Sequence, residues 1–371
     1  MHPFLQDDGT LTVCVLVISA LLNHAVKTCV DFWHRTQRLR HSSDSEPGFT
    51  RKRVGRHWAY FDPDGERVTD RETIERLNAI GLPPAYTDAW FCTDSNGHLQ
   101  ATGIDARGRK QYRYHPAFRA RADKRKFSEL LEFGHALSKL RARVDKDLAG
   151  PALSREKVLA AVVRLLDTEY LRVGSERYAK ENRSFGATTL LGRHVTSDGG
   201  KVRMRFNAKG GKTREVTITD RRLGRIVRRC AELPGQMLFQ YINGEGVPHP
   251  VTSAEVNAYI GEASGGDFTA KHFRTWWASV IAFGTMLDAD EARRMSVDTI
   301  VEPAAEALGN TVAISRKSYV HPALIEAVKD SPRDPLGGLD PPRERKWLSS
   351  TEVGFLDFLA KSKRRRTRRS A

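Results

Sequence analysis

Cysteine is scarce and scattered: four residues, at 14, 29, 92 and 230, with no CxxC pair and no Cys/His ligand spacing. That excludes a zinc finger or ribbon, offers no disulfide framework, and suits a reduced, cytoplasmic compartment. Acidic residues are outnumbered, 45 Asp and Glu against 61 Lys and Arg, for a formal charge of +16 and a pI near 9.9. A surface field of that sign attracts polyanions, which makes nucleic acid the leading partner class. Long hydrophobic runs are missing too. The apolar stretch LTVCVLVISALL at 11–22 is too short to span a bilayer and follows Asp7 and Asp8, where a signal peptide carries positive charge. It reads as a buried or partner-seeking helix, or an extension foreign to the fold, and no membrane association is expected.

Familiar catalytic signatures are also absent. There is no GxSxG, no HExxH and no glycine-rich dinucleotide fingerprint. GGKT at 210–213 looks like the end of a phosphate-binding loop, but Phe206 stands where the first glycine belongs and both flanks read as strands. No bound cofactor and no metal is expected.

What is present is 371 residues, 40% hydrophobic and 29% charged, enough for two or three domains with real cores. Residues 1–47 read as an extension and linker, the polar stretch 34–53 leading into a compact unit over 48–125. In that unit HWAYFD, AWFCTD, HLQATGID and RKQYRYH alternate like strands, DSNG at 94–97 makes a turn, and a helix falls around Arg71 to Ile80. From 126 to 360 the apolar spacing is helical, interrupted by a single strand pair at 202–206 and 214–218. Ser349 and Glu352 make a capping box before the last helix, and 361–371 is a basic tail. The fold class is α+β: a small, mainly antiparallel β domain, then a mostly α-helical domain with one β-hairpin.

The polar residues that remain are mostly basic. Arg172 is placed at the end of a helix that Gly174 terminates, and Lys209 in a hairpin turn, with Lys212 as its rival. Lys271 and Arg274, three apart, share a helix face beside the apolar stripe of Phe273, Trp277, Val280 and Ile281. Gly309 ends the helix EPAAEAL and frees Asn310; Tyr319 follows two and a half helical turns later, so the chain must bend if both face one substrate. One chemistry needs these types together, the attack of a tyrosine on a phosphodiester. Cations favour the phenolate, arginines hold the non-bridging oxygens, and a lysine can protonate the leaving oxygen without a metal ion.

At these residues the chain resembles the type IB DNA topoisomerases, in particular their small poxvirus-like group found in bacteria. The likeness runs in consistent order from about Arg53 to about Ala360. It implies a catalytic five of Arg172, Lys209, Arg274, Asn310 and Tyr319, with Asn310 standing where many relatives have His. GIDARGRKQYRYH is similar to the family's DNA-contacting strand, which implies duplex contacts from Gln111, Tyr112 and Tyr114, phosphate contacts from Arg109 and Lys110, and a further DNA contact from Lys271. The resemblance further implies a 3′-phosphotyrosyl intermediate, no ATP or metal, and a monomer whose two domains clamp double-stranded DNA.

Overall fold

The computed structural model describes residues 39–55, 57–150, 153–198, 201–288, 294–339 and 342–370, with side chains of the last helix through 363. The apolar segment 11–22 lies outside the described residues. The chain divides into two compact units between Ala122 and Asp123.

The first unit is an antiparallel sheet of β1 (Phe49–Val54), β2 (His57–Phe61), β3 (Thr87–Phe91), β4 (Leu99–Ile104) and β5 (Lys110–Tyr114), in the order β2-β1-β3-β4-β5. Helix α1 (Arg71–Ala79) starts at Asp70, whose carboxylate accepts from the Thr73 amide, and buries Leu77 against Tyr60, Leu82, Ala89, Phe91 and Ala101. The linker expected over 34–53 is not one in its described part. β1 pairs with both β2 and β3, and Ser42 is buried, its hydroxyl donating to Leu99 O at 3.0 Å. Arg51 donates to the carbonyls of Leu82 and Pro83, at 2.8 and 2.6 Å. Helix α2 (Pro116–Ser128) follows β5 and contains the division between the units.

The second unit is built on α3 (Leu130–Leu148), α4 (Arg155–Thr168) and the short α5 (Glu176–Asn182). The sheet β6 (Val195–Asp198), β7 (Lys201–Asn207) and β8 (Thr213–Ile218) comes next, then α6 (Arg221–Ala231) and the hairpin β9 (Gln240–Ile242) with β10 (Pro248–Pro250). The helices α7 (Ser253–Ser264), α8 (Ala270–Leu287), α9 (Val297–Leu308), α10 (Val312–Ser318), α11 (Pro322–Asp330) and α12 (Ser350–Ser370) complete it. The expected single strand pair is therefore one edge of a three-stranded sheet, with a second two-stranded ladder elsewhere. β6, β9 and β10 are too short to show a period of two. The basic run from 361 is not a separate tail, because α12 continues through it to Ser370.

α8 is the axis of this unit: Phe273, Trp276, Ala278, Ala282 and Phe283 are fully buried in its core. α3 approaches it at Gly134, where an added Cβ would lie 2.4 Å from the Trp276 ring. The usual penalty of a mid-helix glycine is the condition for that close approach.

Candidate active site

α8 carries Arg274 inward. The side chain is 5% exposed and has no carboxylate partner among the described residues. Its fork instead donates to Tyr170 O at 2.5 Å, Leu308 O at 2.9 Å and Asn310 Oδ1 at 3.2 Å. Leu308 ends α9, so a cation there meets the negative end of a helix dipole. Gly309 closes that helix with φ +64, and the Asn310 amide returns to Ala305 O at 2.8 Å, which turns the Asn310 side chain toward Arg274.

Arg172 reaches the same oxygen, donating to Asn310 Oδ1 at 2.7 Å across a separation of 138 residues. It is not at a helix end as expected. α4 stops at Thr168, Tyr170 takes the left-handed conformation at φ +54, and Arg172 sits in the extended segment beyond. Tyr170 is held there by the Arg274 bond to its carbonyl and by its ring against Trp277, centroids 5.3 Å apart. With Oδ1 accepting from two guanidinium groups, Asn310 Nδ2 is left buried without a hydrogen-bond partner. An amide donor in that state is ready for an anionic oxygen.

Tyr319 comes from the end of α10, whose start Thr311 caps by accepting from the Ile314 amide. The break at Gly309 and Thr311 is the bend that the spacing of Asn310 and Tyr319 required. The Arg274 guanidinium carbon lies 5.3 Å from the centre of the Tyr319 ring. Burial alone would push the Tyr319 phenol up, but the charges of Arg274, Arg172 and Lys209 and a hydrogen bond from Arg274 hold it below the ordinary tyrosine value. Burial and the like charge of Arg172 push the Arg274 guanidinium down in turn. It stays protonated at neutral pH, so the phenolate is the form these neighbours favour.

Lys209 is exposed in the β7–β8 turn, between the positive-φ glycines 210 and 211 and the strand end. Its charge helps hold the Tyr319 phenol down, and Lys212 is also exposed in that turn. Lys271 is exposed at the start of α8 while Arg274, one turn on, is buried, so of the two cations on that face one is solvated and the other is not.

Two cations at this site were not singled out from the sequence. Arg214 falls in step with the buried Val216 and Ile218 on the inward face of β8, and its Nη2 donates to Glu169 O at 2.8 Å and to Ala307 O at 3.1 Å. Burial, then the charge of Arg172, push its guanidinium below the usual value. Lys126, in α2, is 7% exposed and donates to Ser318 O at 2.7 Å, one residue before the tyrosine.

The candidate DNA-contacting strand β5 belongs to the first unit. Its cations are tied to acids there: Arg109 to Asp105 at 2.6 Å, and Lys110 to Asp44. Gln111 Nε2 donates to Asp105 Oδ2 at 3.0 Å, and the rings of Tyr112 and Tyr114 stack, centroids 6.2 Å apart. No group of three or more metal-ligating side chains occurs among the described residues.

Two family models match the chain. Residues 115–323 match the catalytic core of eukaryotic DNA topoisomerase I, and residues 57–105 match the N-terminal domain of bacterial DNA topoisomerase IB. DNA topoisomerase 1B of Acanthamoeba polyphaga mimivirus is 30% identical over 297 residues, covering 77% of this chain and 88% of that protein. The chain belongs to the type IB DNA topoisomerases. DNA topoisomerase 1B of Vaccinia virus (strain Copenhagen) is 20% identical over 293 residues, covering 73% of this chain and 90% of that one. Among solved structures, a XerH site-specific recombinase bound to a palindromic difH substrate covers 52% of this chain and 50% of its own at 18% identity, with a TM-score of only 0.34. In this type IB topoisomerase the matched catalytic core contains Arg172, Lys209, Arg274, Asn310 and Tyr319, while β5 falls between the two matched ranges.

Proposed function

We propose that this chain relaxes supercoiled duplex DNA through a transient single-strand break, with Tyr319 as the nucleophile. The Tyr319 oxygen attacks a backbone phosphorus, a 3′-phosphotyrosyl bond forms, and the bond to the 5′ oxygen breaks. Lys209 protonates that leaving oxygen, and the freed 5′-hydroxyl end turns about the intact strand. Religation reverses both transfers, and because the ester keeps the bond energy, neither ATP nor a metal takes part.

The observation that carries this reading is the meeting of Arg172 and Arg274 on one Asn310 oxygen, with Arg274 against the Tyr319 ring. A phosphate among them would accept from the two guanidinium groups and from the unpartnered Asn310 Nδ2. Each such donor supplies on the order of 10²–10³ in rate where charge builds up in the transition state. Contacts from Arg109, Lys110, Gln111, Tyr112, Tyr114 and Lys271 would hold the duplex, the arginine and lysines on phosphates and the amide and rings on bases. We further propose that the two units close around DNA as a monomer, and that the protein works in the cytoplasm on the bacterial nucleoid.

The test is relaxation of a supercoiled plasmid in EDTA without ATP, beside an assay for covalent protein–DNA adduct. Wild type should relax and form adduct, Tyr319→Phe should bind without adduct, and Lys209→Ala should be far slower than Lys212→Ala. Adduct in the Tyr319→Phe protein, or relaxation only with a metal or ATP, would refute the reading.

A further inference from the structure

The backbone around Tyr319 is held from within its own segment and by two side chains from outside it. The Tyr319 and Val320 amides both return to Ser315 O at 2.9 Å, which ends α10 tightly. Two residues on, Ser279 in α8 accepts from the His321 amide at 3.0 Å, while its one hydroxyl proton lies between Thr275 O at 2.8 Å and Tyr319 O at 3.2 Å. On the preceding peptide, Lys126 Nζ donates to Ser318 O at 2.7 Å. Side chains from two different helices thus hold the chain on either side of the tyrosine.

Lys126 is the unusual member of the pair. A lysine is among the residues least often buried, yet this side chain is 6% exposed, and its one carboxylate contact, Asp123 at 3.2 Å, is itself half in solvent. Its ammonium sits 4.2 Å from the centre of the Phe127 ring, and Lys271 opposes it with like charge. Burial lowers its pKa while the Tyr319 charge acts in the other direction, so the ammonium and the phenol feel one another. Holding a structural carbonyl needs no charge, and a serine or asparagine would cost less to bury. A buried ammonium is explained if the carbonyl must be held while negative charge develops next to it.

We propose that Lys126 is a positioning residue for the nucleophile: it fixes the Ser318–Tyr319 peptide while Ser279 holds the chain at His321, so the phenol is set for in-line attack before the phosphate arrives. The inference rests on Tyr319 being the nucleophile. Lys126 touches no reacting atom. It acts through the Ser318–Tyr319 peptide, and its loss should slow cleavage and religation alike, because the same oxygen is attacking group in one and leaving group in the other.

The test compares wild type, Lys126→Met, Lys126→Arg and Ser279→Ala on a suicide duplex that traps the cleaved strand, with enzyme saturating. DNA affinity and thermal unfolding are measured on the same proteins. Lys126→Met keeps the apolar stem and should cleave on the order of tenfold to a hundredfold more slowly, the cost of a misplaced reacting group, at unchanged DNA affinity. Lys126→Arg should recover most of that loss, and Ser279→Ala should lose rate in the same way. Cleavage by Lys126→Met at the wild-type rate would overturn the proposal. So would a deficit lying wholly in DNA affinity or stability, or one that arginine does not relieve. Absence of a Tyr319 adduct in wild type would instead refute the reading of the nucleophile, which separates the two failures.

Discussion

Arg274 touches both chain segments that the spacing of Asn310 and Tyr319 sets apart: its Nη2 is 3.2 Å from Asn310 Oδ1 and its guanidinium carbon 5.3 Å from the Tyr319 ring centre. A planar fork is needed for this, since the same group also meets the carbonyls of Tyr170 and Leu308. Arg274→Lys should therefore behave as a loss. The ammonium cannot reach these carbonyls and a phosphate together, and single-turnover cleavage should fall on the order of 10²–10³ with binding largely kept. A lysine variant within a few-fold of wild type would show that charge alone suffices.

Tyr319 should titrate below the ordinary phenol value of roughly 10. The sign is that of an acid whose folded pKa is depressed: the phenolate fraction at a given pH exceeds that of a free tyrosine. In the DNA-free protein, the ultraviolet difference titration of wild type against Tyr319→Phe should show this early ionisation. Arg172→Gln removes one of the cations and should move the midpoint up, and with it the pH at which the cleavage rate levels off. A midpoint indifferent to Arg172→Gln would remove this electrostatic account.

Asn310→His should retain relaxation but acquire a limb at acid pH. A neutral imidazole can accept from Arg172 or Arg274 with one nitrogen and donate to phosphate with the other, as the amide oxygen and Nδ2 are placed to do. Below roughly pH 6.5 both nitrogens carry protons. The accepting role is then lost and a third cation crowds the two arginines. Wild type has no such group at this position, so a ratio of variant to wild-type rate that stays flat down to pH 5.5 would contradict it.

Much of this site could be read in the sequence because its side chains lie beside features that leave a mark. Gly309 announced the end of α9 and the freedom of Asn310, and the three-residue spacing put Lys271 and Arg274 on α8. Arg172 was found, but on the wrong element. An aromatic residue in the left-handed region, as Tyr170 is, costs too much alone to be expected, and the Arg274 bond that holds it comes from 104 residues away. Arg214 and Lys126 were passed over for a related reason. Their partners are main-chain carbonyls of Glu169, Ala307 and Ser318, and a carbonyl has no letter in the sequence. β1 was lost in the polar stretch 34–53 that reads as a linker, and its Arg51 bonds to the carbonyls of Leu82 and Pro83.

On the proposed DNA contact of β5, Asp105 governs what the strand presents. Its side chain is 8% exposed and accepts from Arg109, from Gln111 Nε2 and from the amides of Arg107 and Arg109. The Arg109 guanidinium holds its carboxyl far below the usual carboxylate range, so it is ionised at any working pH. Fixing one Gln111 N–H leaves the amide oxygen and the second N–H in a defined order. Asp105→Asn should bind DNA more tightly at low salt, having lost a negative charge beside Arg109, while its preference among cleavage sites blurs. Cleavage maps on an end-labelled duplex, with affinity measured against salt, would check both, and an unchanged map would detach Asp105 from base reading.

The helix that carries Arg274 is itself held by a buried charge network. Arg141 donates to Asp167 at 2.7 and 2.9 Å and to Glu352 at 2.8 Å, while Trp276 Nε1 meets Glu352 and Trp277 Nε1 meets Asp167, both at 3.0 Å. One guanidinium thus bridges two carboxylates, and the two tryptophans bind α8 to them. For Glu352, burial would raise the pKa, but Arg141 outweighs it and the carboxyl titrates below its ordinary value. The stability it adds is present above the unfolded carboxylate pKa of about 4.3 and lost as pH falls through the lower folded value. Arg141→Met should cost about 3–5 kcal/mol at neutral pH, since it strands two acids in a dry site. In that variant only the bonds from the Ser349 amide and Trp276 Nε1 still oppose burial, so the Glu352 pKa should move up: its charged form should add less stability, and the variant should lose less than wild type as pH falls. Denaturant unfolding of both proteins as pH falls below neutral is the measurement, and parallel curves would show that Arg141 is not what keeps Glu352 charged.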